Sequence, residues 1–301
     1  MIRFFFRLAV AILSRLPRRV QWAFAQLLGC LGFLFAARRR RIALENVEAA
    51  FPELSHEQRQ RIVKQSLASL AMTAFEFVSL PRFRGRLSQL VEVIGEENLP
   101  ALRNTPQGAI LLVAHLGNWE VGGAILAERG VTLNVIAQPQ KVVVVEEMIQ
   151  SIRRQMGMRV IAKKRALVES LRVLRRGETL AMLIDQHNRR DGLPILFFGR
   201  SAWTVASPAV LSLRTGCPVF PAFLVRKTDG SFRGHLDVPI HPEPTGNFDS
   251  DVLRLTQQYT TIVENYVRMY PEQWMWVHRR WRPESGTDSP RRANRKTRAI
   301  K

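Results

Sequence analysis

An imidazole and a carboxylate stand five residues apart in Ala114-His115-Leu116-Gly117-Asn118-Trp119-Glu120. A histidine that takes a proton from a hydroxyl while a carboxylate fixes its tautomer is a general-base pair, worth on the order of 10²–10⁴ in rate. The local pattern supplies the scaffold. GAILLVA (108–114) is an apolar run of strand length, and Asn118 is a candidate N-cap that puts Glu120 in the first turn of the following helix. That turn can return the Glu120 carboxylate to His115. Reactive groups in α/β sheets lie beyond the carboxyl ends of strands, where this histidine falls. A satisfied histidine at a strand end and a glutamate favoured by the helix dipole are the bland alternatives.

The surrounding chain predicts the elements that would carry such a pair. Apolar runs at 131–137, 158–162 and 179–185 alternate with helical stretches at 118–129, 146–156 and 166–176. That alternation predicts an α/β fold with a central, mostly parallel or mixed sheet flanked by helices. A helix at 206–214, strands at 218–227 and 233–240, and a long helix at 250–269 follow. Upstream, residues 42–80 read as two helices broken at Phe51-Pro52 and restarted at Ser55. Neither a repeat nor a linker divides residues 42–281, which read as one domain.

The 301 residues carry 45 Lys+Arg against 25 Asp+Glu, a formal charge of +20, so an anionic partner is expected. Position decides which. Residues 1–41 hold nine arginines and no acid, and residues 282–301 hold seven basic residues against Glu284 and Asp288, leaving the body only mildly basic. Between Arg19 and Arg38 lies an uncharged 18-residue stretch, about 27 Å as a helix and barely long enough to cross a bilayer. Phe4–Leu16, interrupted by Arg7 and Arg15 and closed by Pro17, reads as an interfacial helix. We expect a membrane-associated helical segment at 1–41, inserted shallowly or spanning. A signal peptide and a core helix are the competing readings. The tail 282–301 reads as basic and disordered. Cys30 and Cys217 suit neither a disulfide framework nor a metal site.

HLGNWE resembles the His-x4-Asp/Glu signature of glycerolipid acyltransferases in the form carried by bacterial lipid A biosynthesis acyltransferases, the lauroyl and myristoyl transferases. Further blocks resemble that family in the same order: RIALENVEAAFPELS with Asn46 and Phe51-Pro52, IRRQMG with Arg153, IDQ (184–186) with FFGRSAWT (197–204), and PEQWMWVHRRW (271–281). The resemblance implies acyl transfer from a thioester of acyl carrier protein to a hydroxyl of a lipid A precursor or related glycolipid. It implies His115 and Glu120 as catalytic residues, Arg153 and Asp185 as substrate-binding residues, neither cofactor nor metal, and the cell inner membrane with the catalytic domain facing the cytoplasm. By residue type alone, Arg153 also fits a solvated basic face and Asp185 an ordinary turn. Phe197, Phe198 and Trp203 fit either an acyl groove or a core. Trp274, Trp276 and Trp281 beside Arg279 and Arg280 fit a membrane interface.

Ala137-Gln138-Pro139 stands where the family usually has Tyr-Arg-Pro, which leaves the acceptor open. Acyl-CoA as donor and a phospholipid or mannolipid as acceptor form the alternative within acyl transfer. A cluster from Arg153 to Arg176, including Lys163, Lys164 and Arg165, suits an acidic carrier protein or a solvated face equally. A non-catalytic basic membrane or nucleic-acid-binding protein is the alternative from another class. No recognised nucleic-acid motif supports it, so nucleic acid is not expected as a partner.

Overall fold

The computed structural model describes residues 2–162 and 166–282, with side chains from residue 8 onward. Its core is a seven-stranded sheet built from β1 (Val91–Ile94), β2 (Ala109–Val113), β3 (Leu133–Ala137), β4 (Arg159–Ala162), β5 (Thr179–Leu183), β8 (Val219–Arg226) and β9 (Phe232–Leu236). Across the sheet the order is β1-β9-β8-β2-β5-β3-β4. Only β8 and β9 run antiparallel; every other neighbouring pair is parallel. The central strands β2 and β8 are buried almost throughout because helices cover both faces, which explains their apolar sequences up to Arg226 at the end of β8.

Alternate residues of each strand serve opposite faces. Leu111, Leu133, Ala181 and Leu224 pack with the short α5 (Leu99–Arg103), α6 (Trp119–Glu128) and α7 (Val143–Gln155). Ile110, Leu112, Met182 and Phe223 pack with α3 (Ala37–Ala50), α8 (Ala166–Arg175), α9 (Ser207–Thr215) and α10 (Phe248–Met269). On that second side lies a separate antiparallel hairpin, β6 (Gly192–Phe197) with β7 (Arg200–Val205). Its turn puts both Phe198 (φ 52°) and Gly199 (φ 69°) in the left-handed region that two-residue hairpins require. Phenylalanine is an unfavoured occupant there. It is held by aromatic packing and by its N–H, which donates to Glu264 at 2.5 Å.

The amino-terminal half is helical: α1 (Ile2–Arg15), α2 (Arg18–Phe35), α3 and α4 (His56–Ser79). Ser55 and Gln58 close a reciprocal capping box at the start of α4, as the sequence predicts for a restart there. The arginine run Arg38–Arg41 forms the first turns of α3, so one helix continues across residue 41. Helix α2 buries a stripe of Gln21, Ala25, Gly29 and Phe33. A Cβ on Gly29 would come within 2.7 Å of the Ala68 backbone, so only glycine lets α2 and α4 approach so closely. Apart from Phe33, the larger apolar residues mostly face outward. Trp22, Phe24, Leu27, Leu28 and Leu34 are exposed, and Phe35 is 79% exposed. Among the described residues no single helix is long and apolar enough to cross a membrane; α2 and α3 reach that length and composition only as a pair, bent by 96° at the break between them.

Candidate active site

The register of the sheet assembles the site. Parallel pairing matches Val113 of β2 with Leu183 of β5, so two residues further on His115 and Asp185 leave the sheet side by side. Asp185 Oδ1 lies 2.8 Å from His115 Nδ1, while Oδ2 accepts the His115 backbone N–H at 2.8 Å and Trp274 Nε1–H at 2.8 Å. Burial by itself would raise the Asp185 pKa. The charge of His115, its two hydrogen bonds and that of Trp274 outweigh burial and bring it down to about 2. An ionised carboxylate only accepts, so His115 Nδ1 carries a proton and Nε2 is the basic atom when the ring is neutral. Trp119 and the imidazole pack in a T-shaped arrangement with 4.9 Å between centroids, and Gln186 Nε2 stands 3.3 Å from His115 Nε2.

Glu120 is not returned to the imidazole. Asn118 does cap α6, its Oδ1 accepting Val121 N–H at 3.1 Å, and Glu120 does occupy the first turn. Its carboxylate faces α7 instead, where Arg153 engages it as a fork: Nε donates to Oε2 at 3.1 Å and Nη2 to Oε1. Both side chains are largely buried. The physical reason is adjacency. Asp185 reaches Nδ1 from the neighbouring strand, and a guanidinium fork matches a carboxylate better than a single ring nitrogen does.

The loop between His115 and α6 is held from beneath. Gly117 adopts φ +58°, and a Cβ there would lie 1.9 Å from the Leu224 carbonyl oxygen, so no other residue fits. Thr73 Oγ1 donates to the Gly117 carbonyl at 3.0 Å. Asn118 Nδ2 donates to Glu76 Oε2 at 2.8 Å. Glu76, buried on α4, also receives Nε and Nη2 of Arg226 at 2.8 and 2.7 Å and Nη2 of Arg18 at 2.8 Å. Sequence reasoning missed this hub, whose one trace is a lone acid in the apolar stretch SLAMTAFEFVSL. A cavity of about 1790 Å³, larger than the roughly 300–1,000 Å³ usual for one small ligand, opens on His115, Glu120 and Arg153. Its lining comes from both faces of the sheet: Leu111, Leu133 and Ile125 on the α6 side, Leu211, Phe223 and Val252 on the other.

A model of one family, described as bacterial lipid A biosynthesis acyltransferase, matches residues 1–283. The chain belongs to that family. The acyltransferase is 26% identical over 279 residues to the lipid A biosynthesis lauroyltransferase of Escherichia coli K12, covering 91% of this chain and 89% of that one. It is 25% identical over 278 residues to the palmitoleoyltransferase of the same organism, covering 89% and 87%. It is also 25% identical over 225 residues to a phosphatidylinositol mannoside acyltransferase of Mycolicibacterium smegmatis, covering 73% and 72%.

Other blocks of the acyltransferase lie behind the site. Trp274 and Trp276 are fully buried and belong to the core, which corrects the membrane-interface reading of the carboxyl-terminal block. They form a cluster of edge-on and tilted ring contacts with Phe51, Phe197 and Phe198. Arg280 is buried with them, donating Nη2 to Thr204 Oγ1 at 2.5 Å and Nη1 to the Trp203 carbonyl at 2.9 Å; burial lowers its pKa to about 10. Phe197 and Phe198 are therefore core, whereas Trp203 lines the cavity. Asn46 joins α3 to this block, its Nδ2 donating to the carbonyls of Trp276 and His278 at 2.7 and 2.6 Å. In the basic cluster, Arg159 and Arg176 both pair with Glu178, and Arg172 pairs with Glu169, while Arg154 and Arg175 are exposed. Lys163, Lys164 and Arg165 lie outside the described residues, as does the tail from residue 283.

Proposed function

We propose that this acyltransferase moves a fatty acyl group from an acyl carrier protein thioester to a hydroxyl of a lipid A precursor or related glycolipid, at the cytoplasmic face of the inner membrane. The observation that carries the reading is His115, held through Nδ1 by a buried carboxylate and set in a large apolar cavity. His115 Nε2 takes the hydroxyl proton as the oxygen attacks the thioester carbon. The tetrahedral intermediate collapses with cleavage of the C–S bond, and the imidazolium returns its proton to the departing sulfur, leaving an ester and a thiol. Asp185 keeps the tautomer and stabilises the imidazolium. Glu120 acts through Arg153, holding that guanidinium in the cavity wall for an anionic or carbonyl oxygen of a substrate.

The outward apolar face of α1 and α2, flanked by arginines, supports seating on an anionic membrane surface. We assign residues 1–41 to this anchor, 42–281 to the acyltransferase domain and 282–301 to a basic tail. The basic cluster on α7, β4 and α8 suits the acidic carrier protein. One observation favours a second acceptor, a mannolipid, which we pair with an acyl-CoA donor as the second reading: similarity to the mannoside acyltransferase matches that to the lipid A enzymes in identity. Purified full-length enzyme assayed with matched acyl-carrier-protein and acyl-CoA donors, against a lipid A precursor and a phosphatidylinositol mannoside, separates them. Transfer from the carrier protein to the lipid A precursor is expected; transfer confined to the CoA and mannolipid pairing overturns the first reading.

A further inference from the structure

With His115 Nδ1 bound to Asp185, an acceptor hydroxyl must approach Nε2, and Gln186 Nε2 lies 3.3 Å from that atom. Gln186 opens a short loop, Gln186-His187-Asn188-Arg189-Arg190-Asp191, that leads into β6. The loop is held in place. His187 N–H donates to His278 Nε2 at 3.1 Å, Asn188 N–H to the Trp203 carbonyl at 3.1 Å, and Asp191 N–H to Asn188 Oδ1 at 3.2 Å. From it Arg189 and Arg190 line the same cavity as His115, with the Arg189 guanidinium 5.7 Å from the Trp203 ring centroid.

The bond from Asn188 to the Trp203 carbonyl and the pairing of Gly192 with Val205 tie the loop to β7 on either side of the two arginines. Arg280 and Arg282 add positive charge on the adjoining carboxyl-terminal segment. After burial, these charges and that of Arg189 are what lower the His187 pKa.

Building on the acyl-transfer reading above, we propose that Arg189 and Arg190 bind a phosphate group carried by the acyl acceptor. The chemistry fits, since adjacent guanidinium groups offer planar, charge-assisted donors to phosphate oxygens. Position assigns the phosphate to the acceptor. The loop adjoins Nε2, where the acceptor hydroxyl must arrive, and it lies on the β6–β7 side of the cavity. On the α6 side the guanidinium of Arg153 is already forked onto Glu120, and the apolar walls of both faces, Leu111 and Leu133 on one and Leu211 and Phe223 on the other, suit acyl chains.

The test uses the full chain with Arg189→Gln/Arg190→Gln and Arg189→Lys/Arg190→Lys double variants, and a phosphorylated glycolipid acceptor paired with its dephosphorylated counterpart. Replacing the two arginines by glutamine should reduce the kcat/KM preference for the phosphorylated acceptor by about 10- to 100-fold, as expected for losing charge-assisted hydrogen bonds. Lysine should restore part of it. An unchanged preference overturns the proposal. So does a rise confined to the donor KM, which would assign the phosphate to the donor, or a loss confined to binding of anionic vesicles, which would assign it to the bilayer. Equilibrium binding of the two acceptors in a His115→Ala background needs no turnover. An absence of acyl transfer is thereby distinguished from an absence of the phosphate site.

Discussion

A buried carboxylate that accepts three hydrogen bonds remains ionised well into acid, and Asp185 is such a group. Its pKa in the folded protein is about 2 against an ordinary 3.8. The lowered value means that it contributes stability in full above the ordinary value, and that this contribution is lost as pH falls towards 2. Acid-unfolding curves of the wild type and Asp185→Asn should therefore converge between these two pH values; curves that stay parallel would refute the assignment. At neutral pH, Asp185→Asn should lower kcat by on the order of 10²–10⁴, with the KM of both substrates little changed. Steady-state kinetics checks this. His115→Ala should lose at least as much, because it removes the base itself. His115 and Glu120 were recognisable from their spacing, but the partnership of His115 with Asp185 was not, since 70 residues separate them and only the pairing of β2 with β5 brings them together.

Helix α4 carries Glu76 into the core, where it accepts hydrogen bonds from α2, from β8 and from the N-cap of α6. Glu76→Ala would leave the Arg226 guanidinium buried without its counter-charge. Breaking a buried pair from one side costs roughly 3–5 kcal/mol, and denaturant unfolding should show a loss of that size. Asn118→Ala should cost about 1 kcal/mol through the lost cap of α6. A loss for Glu76→Ala no larger than that for Asn118→Ala would mean that water replaces the carboxylate. The β6–β7 hairpin shows the other limit of sequence reading. FFGRSAWT was legible as a motif, but its turn places a phenylalanine in a left-handed conformation that local propensity disfavours.

Across the molecule, blocks far apart in the chain converge on one aromatic cluster behind His115. Asn46 and Phe51 come from the amino-terminal half, Phe197 and Phe198 from the hairpin turn, and Trp274 and Trp276 from the carboxyl-terminal block. Helix α2 meets this body through Gln21, Ala25, Gly29 and Phe33 and leaves most of its other large apolar side chains outside. Leu27→Asp/Leu31→Asp places two charges on that outward face without touching the buried stripe. The double variant should retain its circular dichroism and melting profile yet lose most co-sedimentation with anionic phospholipid vesicles. Undiminished vesicle binding would move the membrane contact elsewhere.

Periodicity and motif order were enough to read the α/β class, most of the central strands, the cap at Asn118 and the family, because these depend on local patterning and on short spacings along the chain. Only the folded molecule could decide that Asp185 rather than Glu120 meets the imidazole, that Arg153 meets Glu120, and that Trp274 and Trp276 are core. The reason is physical: strand register and burial are set by contacts between distant segments. An aromatic or charged side chain of the same type serves a membrane surface, a core or a catalytic carboxylate according to what those contacts place beside it.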